Sequence, residues 1–206
     1  MPRFFIAIPL PDEVTDRLIA VQPPSLSGMR LLGRQELHLT LNFLGEVAPH
    51  HQEVVRKALA SVKANAFTIT ICGVGQFPPD GQAQVIWVSV DRSDSLFALH
   101  HCIGTILTDA IGFQPEDRPY SPHITLARLN TPDLTGAIER YLNDSKSLQV
   151  PSVLVNRFVL YSSVFVDNVP KYREEAVFHL IQPGSLSRHQ APGSARTGIG
   201  RPPINS

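Results

Sequence analysis

The segments His38-Leu39-Thr40-Leu41 and His123-Ile124-Thr125-Leu126 are two copies of one pattern, His-x-Thr-x with an apolar residue at each x, set 85 residues apart. Side chains alternate across a strand, so each copy places one His and one Thr on a common face and its apolar residues on the other. A fold that holds both must build two half-buried strands from distant parts of the chain. With 8 His in the sequence, shuffling yields roughly 0.07 such motifs, and two arise on the order of a few times in a thousand. The repetition therefore reads as a site. One copy alone would read as a strand wetting its polar side.

Composition narrows the class. A 206-residue chain with 43% hydrophobic and 17% charged residues can bury a core of its own. Lys+Arg and Asp+Glu balance at 18 each, so no global positive field gathers long nucleic acid, and an RNA partner would be gripped locally, at an end. Cys72 and Cys102 lie far apart with no Cys-x-x-Cys unit, which argues against a zinc knuckle or disulfide framework and for buried thiols in a reducing compartment. The apolar opening Phe4-Phe5-Ile6-Ala7-Ile8 is cut short by Pro9, Pro11, Asp12 and Glu13, which suits a first strand better than a leader. No apolar run approaches the roughly 20 residues that span a bilayer. The expectation is a cytoplasmic monomer without membrane association.

Periodicity gives the order of elements. After a strand over 4–8, Pro11-Asp12-Glu13 starts a helix that runs to about Val21. A short strand near 29–32 leads to the first motif, where Leu37, Leu39, Leu41 and Phe43 alternate with His38, Thr40 and Asn42; this parity assigns Phe43 to the core. A helix over about 51–63 follows, then strands near 66–74 and 84–90 on either side of Pro78-Pro79-Asp80-Gly81. Asp94 is placed to cap a helix over 95–111 that Gly112 ends. Beyond the second motif come a helix near 133–142 and strands near 153–161 and 172–181. The two halves repeat loosely, and the spacing lets each histidine sit in its own lobe. From Pro183 the chain turns to Pro, Gly, Ser and Arg, which cannot repay the entropy of ordering. One domain over 1–182 and a disordered tail over 183–206 are expected.

Paired histidines suit a particular chemistry. Hydrolysis of a cyclic phosphodiester needs a base to take a proton from water and an acid to protonate the departing sugar oxygen. Imidazole, with an ordinary pKa near 6.5, can serve as either at neutral pH, and each role is typically worth ~10²–10⁴-fold. No metal or other cofactor is required. The threonines, one pleat away, can donate hydrogen bonds to non-bridging oxygens.

The two motifs, the opening Arg3-Phe4-Phe5-Ile6-Ala7-Ile8, the run Leu37-His38-Leu39-Thr40-Leu41-Asn42-Phe43-Leu44-Gly45-Glu46, and Pro122-His123-Ile124-Thr125-Leu126-Ala127-Arg128 together resemble the two-histidine phosphoesterase superfamily. Within it the chain is most similar to the bacterial and archaeal RNA 2′,3′-cyclic phosphodiesterases, the 2′-5′ RNA ligase or LigT-like group. The resemblance covers about residues 2–181. It implies a two-lobed α+β LigT-like fold, with an antiparallel sheet and flanking helices in each lobe and an active-site cleft between them. It implies metal-independent hydrolysis of a terminal 2′,3′-cyclic phosphate to a 2′-phosphate, on RNA 3′ ends or small cyclic nucleotides. On the family pattern His38 is the general acid, His123 the general base, and Thr40 and Thr125 hold the phosphate. Arg128 matches an arginine that often follows the second motif. Strand parity sets it opposite His123, so it reaches the cleft only if the strand bends or ends there.

The same site also suits 2′-5′ linked oligonucleotides, cyclic phosphates on nucleotide-sugar products, or ligation of tRNA halves. A binding module for RNA ends without turnover is a further reading, against which the intact His and Thr of both motifs argue. His50-His51 and His100-His101 read as solvated helix residues, since neighbours on a helix do not face each other. Tyr120 is a candidate substrate-binding residue, open to stacking on a base, and Trp87 reads as core or lobe-interface packing. Arg30, Arg34, Arg118 and Arg128 are candidates for a local basic groove.

Overall fold

The computed structural model describes residues 2–130, 135–166 and 169–182. In chain order the elements are β1 (Arg3–Pro9), α1 (Asp12–Ala20), β2 (Met29–Leu31), a 3-10 turn (Arg34–Glu36), β3 (His38–Glu46), α2 (Pro49–Ala60), β4 (Phe67–Phe77), β5 (Val85–Val90), α3 (Asp94–Ile111), β6 (His123–Leu129), α4 (Thr135–Asp144), β7 (Gln149–Val155), β8 (Arg157–Val166) and β9 (Val169–His179). The first turn of the helix expected from 133 and the tail 183–206 lie outside the described residues. The segment expected as one strand over 153–161 is two, β7 and β8, parted at Asn156. β-favouring residues on either side of Asn156 hide that boundary, and the Asn156 carbonyl accepts the Leu180 N–H at 2.8 Å. Ser93, rather than Asp94, caps α3, with its side chain accepting from the Leu96 N–H, and Gly112 closes the helix at φ 69°, where a side chain is disfavoured.

The strands form two antiparallel sheets, ordered β3-β1-β8-β9 and β2-β6-β5-β4-β7. Each holds one motif strand, as the α+β reading with two sheets requires. The sheets are not the two halves of the sequence, however. β2 from the first half completes the second sheet beside β6, while β8 and β9 from the second half complete the first sheet beside β1. The chain therefore stitches the lobes together, and one continuous apolar core runs beneath both, including Ile6, Leu39 and Phe158 from the first sheet and Ile71, Val88 and Ile124 from the second. α2 and α3 pack on each other and against the first sheet, and α1 lies along β7 of the second. α4 covers the far end of the second sheet by seating Ile138 on Ile86 and Ala127.

Candidate active site

Both motif strands carry the same irregularity at the same place. In β3, Thr40 pairs with Ala7 and Asn42 with Ile6, leaving Leu41 as an extra residue. In β6, Thr125 pairs with Trp87 and Ala127 with Ile86, leaving Leu126 as the extra residue. A bulge of this kind reverses the alternation beyond it. Leu41-Asn42 and Leu126-Ala127 are accordingly buried as consecutive pairs, and the next side chain of each strand joins the His-Thr face. In β6 that residue is Arg128, which resolves the parity conflict by the bend the sequence left open. In β3 it is Phe43, which is 53% exposed and so corrects the core assignment.

The bulges are braced from outside their sheets. The Leu41 carbonyl accepts from His100 Nδ1 at 3.0 Å, and the Thr40 carbonyl accepts from the Tyr120 hydroxyl at 2.9 Å. The Leu126 carbonyl accepts from the Leu32 N–H at 2.9 Å, which continues the β2–β6 ladder, and from Gln22 Nε2 at 3.2 Å, which lies outside the sheet. His100 and Tyr120 satisfy backbone oxygens beside the bulge in β3, and Gln22 adds a second donor at Leu126. They also fix where each threonine stands.

The histidines are held alike. His123 Nδ1 bonds the Ser121 carbonyl at 2.7 Å, and His38 bonds the backbone of Glu36, in both cases two residues upstream. In the neutral ring, donation from Nδ1 of His123 leaves Nε2 as a proton acceptor. Burial draws the His38 pKa down to about 4 against the hydrogen bond to Glu36, with Arg128 and His123 lowering it further. His123 is lowered too, chiefly by burial against its Ser121 bond, then by Arg118 and Arg128. The two imidazoles thus feel each other, and Arg128 acts on both. A half-buried pair of imidazoles flanked by a guanidinium is a receptacle for an anion.

Aromatic rings wall this site on both sheets. His38 stacks on Phe5 at 4.9 Å between centroids and meets the edge of Tyr172 at 5.4 Å. His123 meets the edge of Phe77 at 4.9 Å and lies 6.1 Å from the Trp87 ring. Trp87 therefore lines the motif face rather than only packing in the interior. It lies across Gly75 of the neighbouring strand, where an added Cβ would come within 2.2 Å of the indole.

The remaining sequence candidates separate. Tyr120 is not open to a base: its ring stacks on His100 at 4.1 Å and 9°, its edge meets Phe97, and its hydroxyl is donated to Thr40. Burial raises its pKa. His100 is correspondingly no mere solvated residue. Of the four arginines, Arg30 stands opposite Arg128 across β2 and β6 and pairs with Glu36 at 2.7 Å, Arg118 acts on His123 while paired with Glu116, and Arg34 is paired with Asp16. Cys72 and Cys102 are free and only partly buried. Among the described residues, no three His, Cys, Asp or Glu are grouped to hold a metal, and no helix is long and apolar enough to cross a membrane. Phe5, Tyr172, Gly75, Gln22 and His100 had no signal as site residues in the sequence, because their roles depend on which strands become neighbours.

Comparison with known proteins agrees with this architecture. The RNA 2′,3′-cyclic phosphodiesterase of Aeropyrum pernix is 31% identical over 146 residues, covering 70% of this chain and 82% of its own. The enzyme of the same name from Archaeoglobus fulgidus is 27% identical over 180 residues, covering 85% of this chain and 99% of its own. The crystal structure of Escherichia coli LigT complexed with 3′-AMP superposes with a TM-score of 0.68 at 26% identity, covering 87% of this chain and 99% of that one. The family model of the 2′-5′ RNA ligase superfamily matches residues 11–164, and the chain belongs to that superfamily.

Proposed function

We propose that this protein hydrolyses the terminal 2′,3′-cyclic phosphate of RNA to a 2′-phosphate, with His123 as general base and His38 as general acid. The observation that carries the reading is the pair of histidines from separate sheets, each beside a threonine on an equivalently bulged strand, with Arg128 turned onto the same face by the bulge in β6. The name shared by the Aeropyrum and Archaeoglobus relatives and the nucleotide complex of the E. coli protein support the substrate class.

In the reaction His123 Nε2 takes a proton from water as its oxygen attacks phosphorus. The bond from phosphorus to the 3′ oxygen breaks, and His38 delivers its proton to that oxygen, leaving the phosphate on the 2′ position. The protons are then redistributed through solvent, which restores both rings. Thr40 and Thr125 donate to the non-bridging oxygens, and Arg128 offsets the charge that grows on them in the transition state. The experiment is incubation of the protein, in EDTA, with a short RNA ending in a 2′,3′-cyclic phosphate, resolving 2′- from 3′-phosphate products. Formation of the 2′-phosphate supports the proposal. A 3′-phosphate product, or none, contradicts it.

A further inference from the structure

The motif face of the first sheet continues well past the catalytic groups, and the geometry points to a binding surface there for nucleotides upstream of the terminal one, so that the preferred substrate is a single-stranded oligonucleotide rather than a cyclic mononucleotide. This inference rests on the proposed phosphoesterase reading.

Register identifies the face. Phe43, Phe5 and Tyr161 stand in one row across β3, β1 and β8, and the next row holds Glu46, Arg3, Ser163 and Tyr172. Beyond it Phe165 pairs with Pro170. No irregularity interrupts β8 between Tyr161 and Val166, so Tyr161, Ser163 and Phe165 share one face by alternation. It is the face of His38, because Phe5 stacks on both His38 and Tyr161, at 4.9 and 5.2 Å, and takes the edge of Tyr172 at 5.1 Å.

The rings change character along this path. Phe5 is buried as the hub, Tyr161 and Tyr172 are partly covered, and Phe165 is 64% exposed. An exposed aromatic ring on a sheet surface that continues from a phosphate site is a platform for a base, since every base has a π-face. Charge selects the direction. The row of Tyr172, which lies between Tyr161 and Phe165, carries the exposed Arg3 opposite Glu46, whereas the row of Phe5 and Tyr161 carries no cation and ends on β9 at the carboxylate of Glu174. A phosphodiester backbone leaving the histidines is drawn past Arg3 toward Phe165 and away from Glu174. Phe165 lies four residues from Tyr161 along β8, about 13 Å at the rise of a strand, which is beyond the reach of a single nucleotide held by the histidines.

The test compares kcat/KM for 2′,3′-cyclic AMP with that for a tetranucleotide ending in the same cyclic phosphate. The tetranucleotide is expected to be favoured about tenfold or more, the effect of one stacked base, and the ratio is expected to fall toward one in Phe165→Ala and in Arg3→Ala. Phe165→Trp, which keeps a stacking surface, should retain it. Equal kcat/KM for the two substrates, or a ratio that Phe165→Ala leaves in place, overturns the inference while sparing the phosphoesterase reading. Turnover of neither substrate overturns both.

Discussion

Placing an anion between the two histidines should put a proton on His38. In the free protein burial and the neighbouring charges hold its pKa at about 4, so at pH 7 only about one ring in a thousand is charged. A general acid in that state would have no proton to give. A singly charged phosphate about 4 Å from the ring, in an effective dielectric of about 20, favours the imidazolium by about 4 kcal/mol. At about 1.4 kcal/mol per unit this raises the pKa by about 3, to about 7. The substrate itself would then supply the charge that arms the acid. Imidazole nitrogen NMR of the protein, titrated from pH 3 to 9 with and without saturating inorganic phosphate, reads the shift directly. The same reasoning sets the rate profiles: kcat/KM, which reports the free enzyme, should peak at a more acid pH than kcat, which reports the complex. A His38 ring that stays neutral at pH 7 with phosphate bound, or two profiles with the same optimum, would refute the argument.

Other expectations follow from the same geometry. Because the His38 pKa is lowered from 6.5 to about 4 on folding, the unfolded chain binds the proton first as pH falls. Its contribution is complete above pH 6.5 and is lost toward pH 4 at about 1.4 kcal/mol per pH unit. Urea denaturation of wild type against His38→Phe should show the variant with a shallower slope in that window; parallel curves would contradict the assignment. Tyr120→Phe removes the hydroxyl that braces the Thr40 carbonyl at 2.9 Å and should cost about 1–2 kcal/mol of stability in urea, whereas an unchanged midpoint would mean that the brace carries nothing. In Gly75→Ala the new Cβ would lie within 2.2 Å of the indole, which must move at a cost of about 1–3 kcal/mol. Trp87 is the only tryptophan, so the displacement should appear as a shift in intrinsic emission; an unaltered spectrum with unaltered stability would count against the packing described.

Much of this site could be read from the chain alone. Leu39 and Ile124 alternate with His38, Thr40, His123 and Thr125, and burial follows that alternation through both threonines. It fails just beyond them, at Asn42 and Ala127, because a bulge leaves no mark on hydrophobic pattern when the inserted residue, Leu41 or Leu126, is itself apolar. That single irregularity is why Phe43 lies outside the core and Arg128 reaches the motif face. His100 looked like a solvated helix residue because its partner, the Leu41 carbonyl, is 59 positions away. The break at Asn156 was invisible because β-favouring residues continue on both sides of it. The crossing of β2, β8 and β9 between the halves is a matter of strand neighbours, which periodicity within one segment does not encode.

The central claim is the division of labour between His38 and His123, and the most direct measurement of it changes the leaving atom. An RNA whose cyclic phosphate carries sulfur in place of the bridging 3′ oxygen releases a thiolate, which needs no proton. With this substrate, turnover by His38→Ala should recover to near the wild-type rate, while His123→Ala, lacking the base that activates water, should stay impaired by the ~10²–10⁴-fold typical of such a loss. Equal impairment of both variants, or recovery of His123→Ala instead, would contradict the assignment.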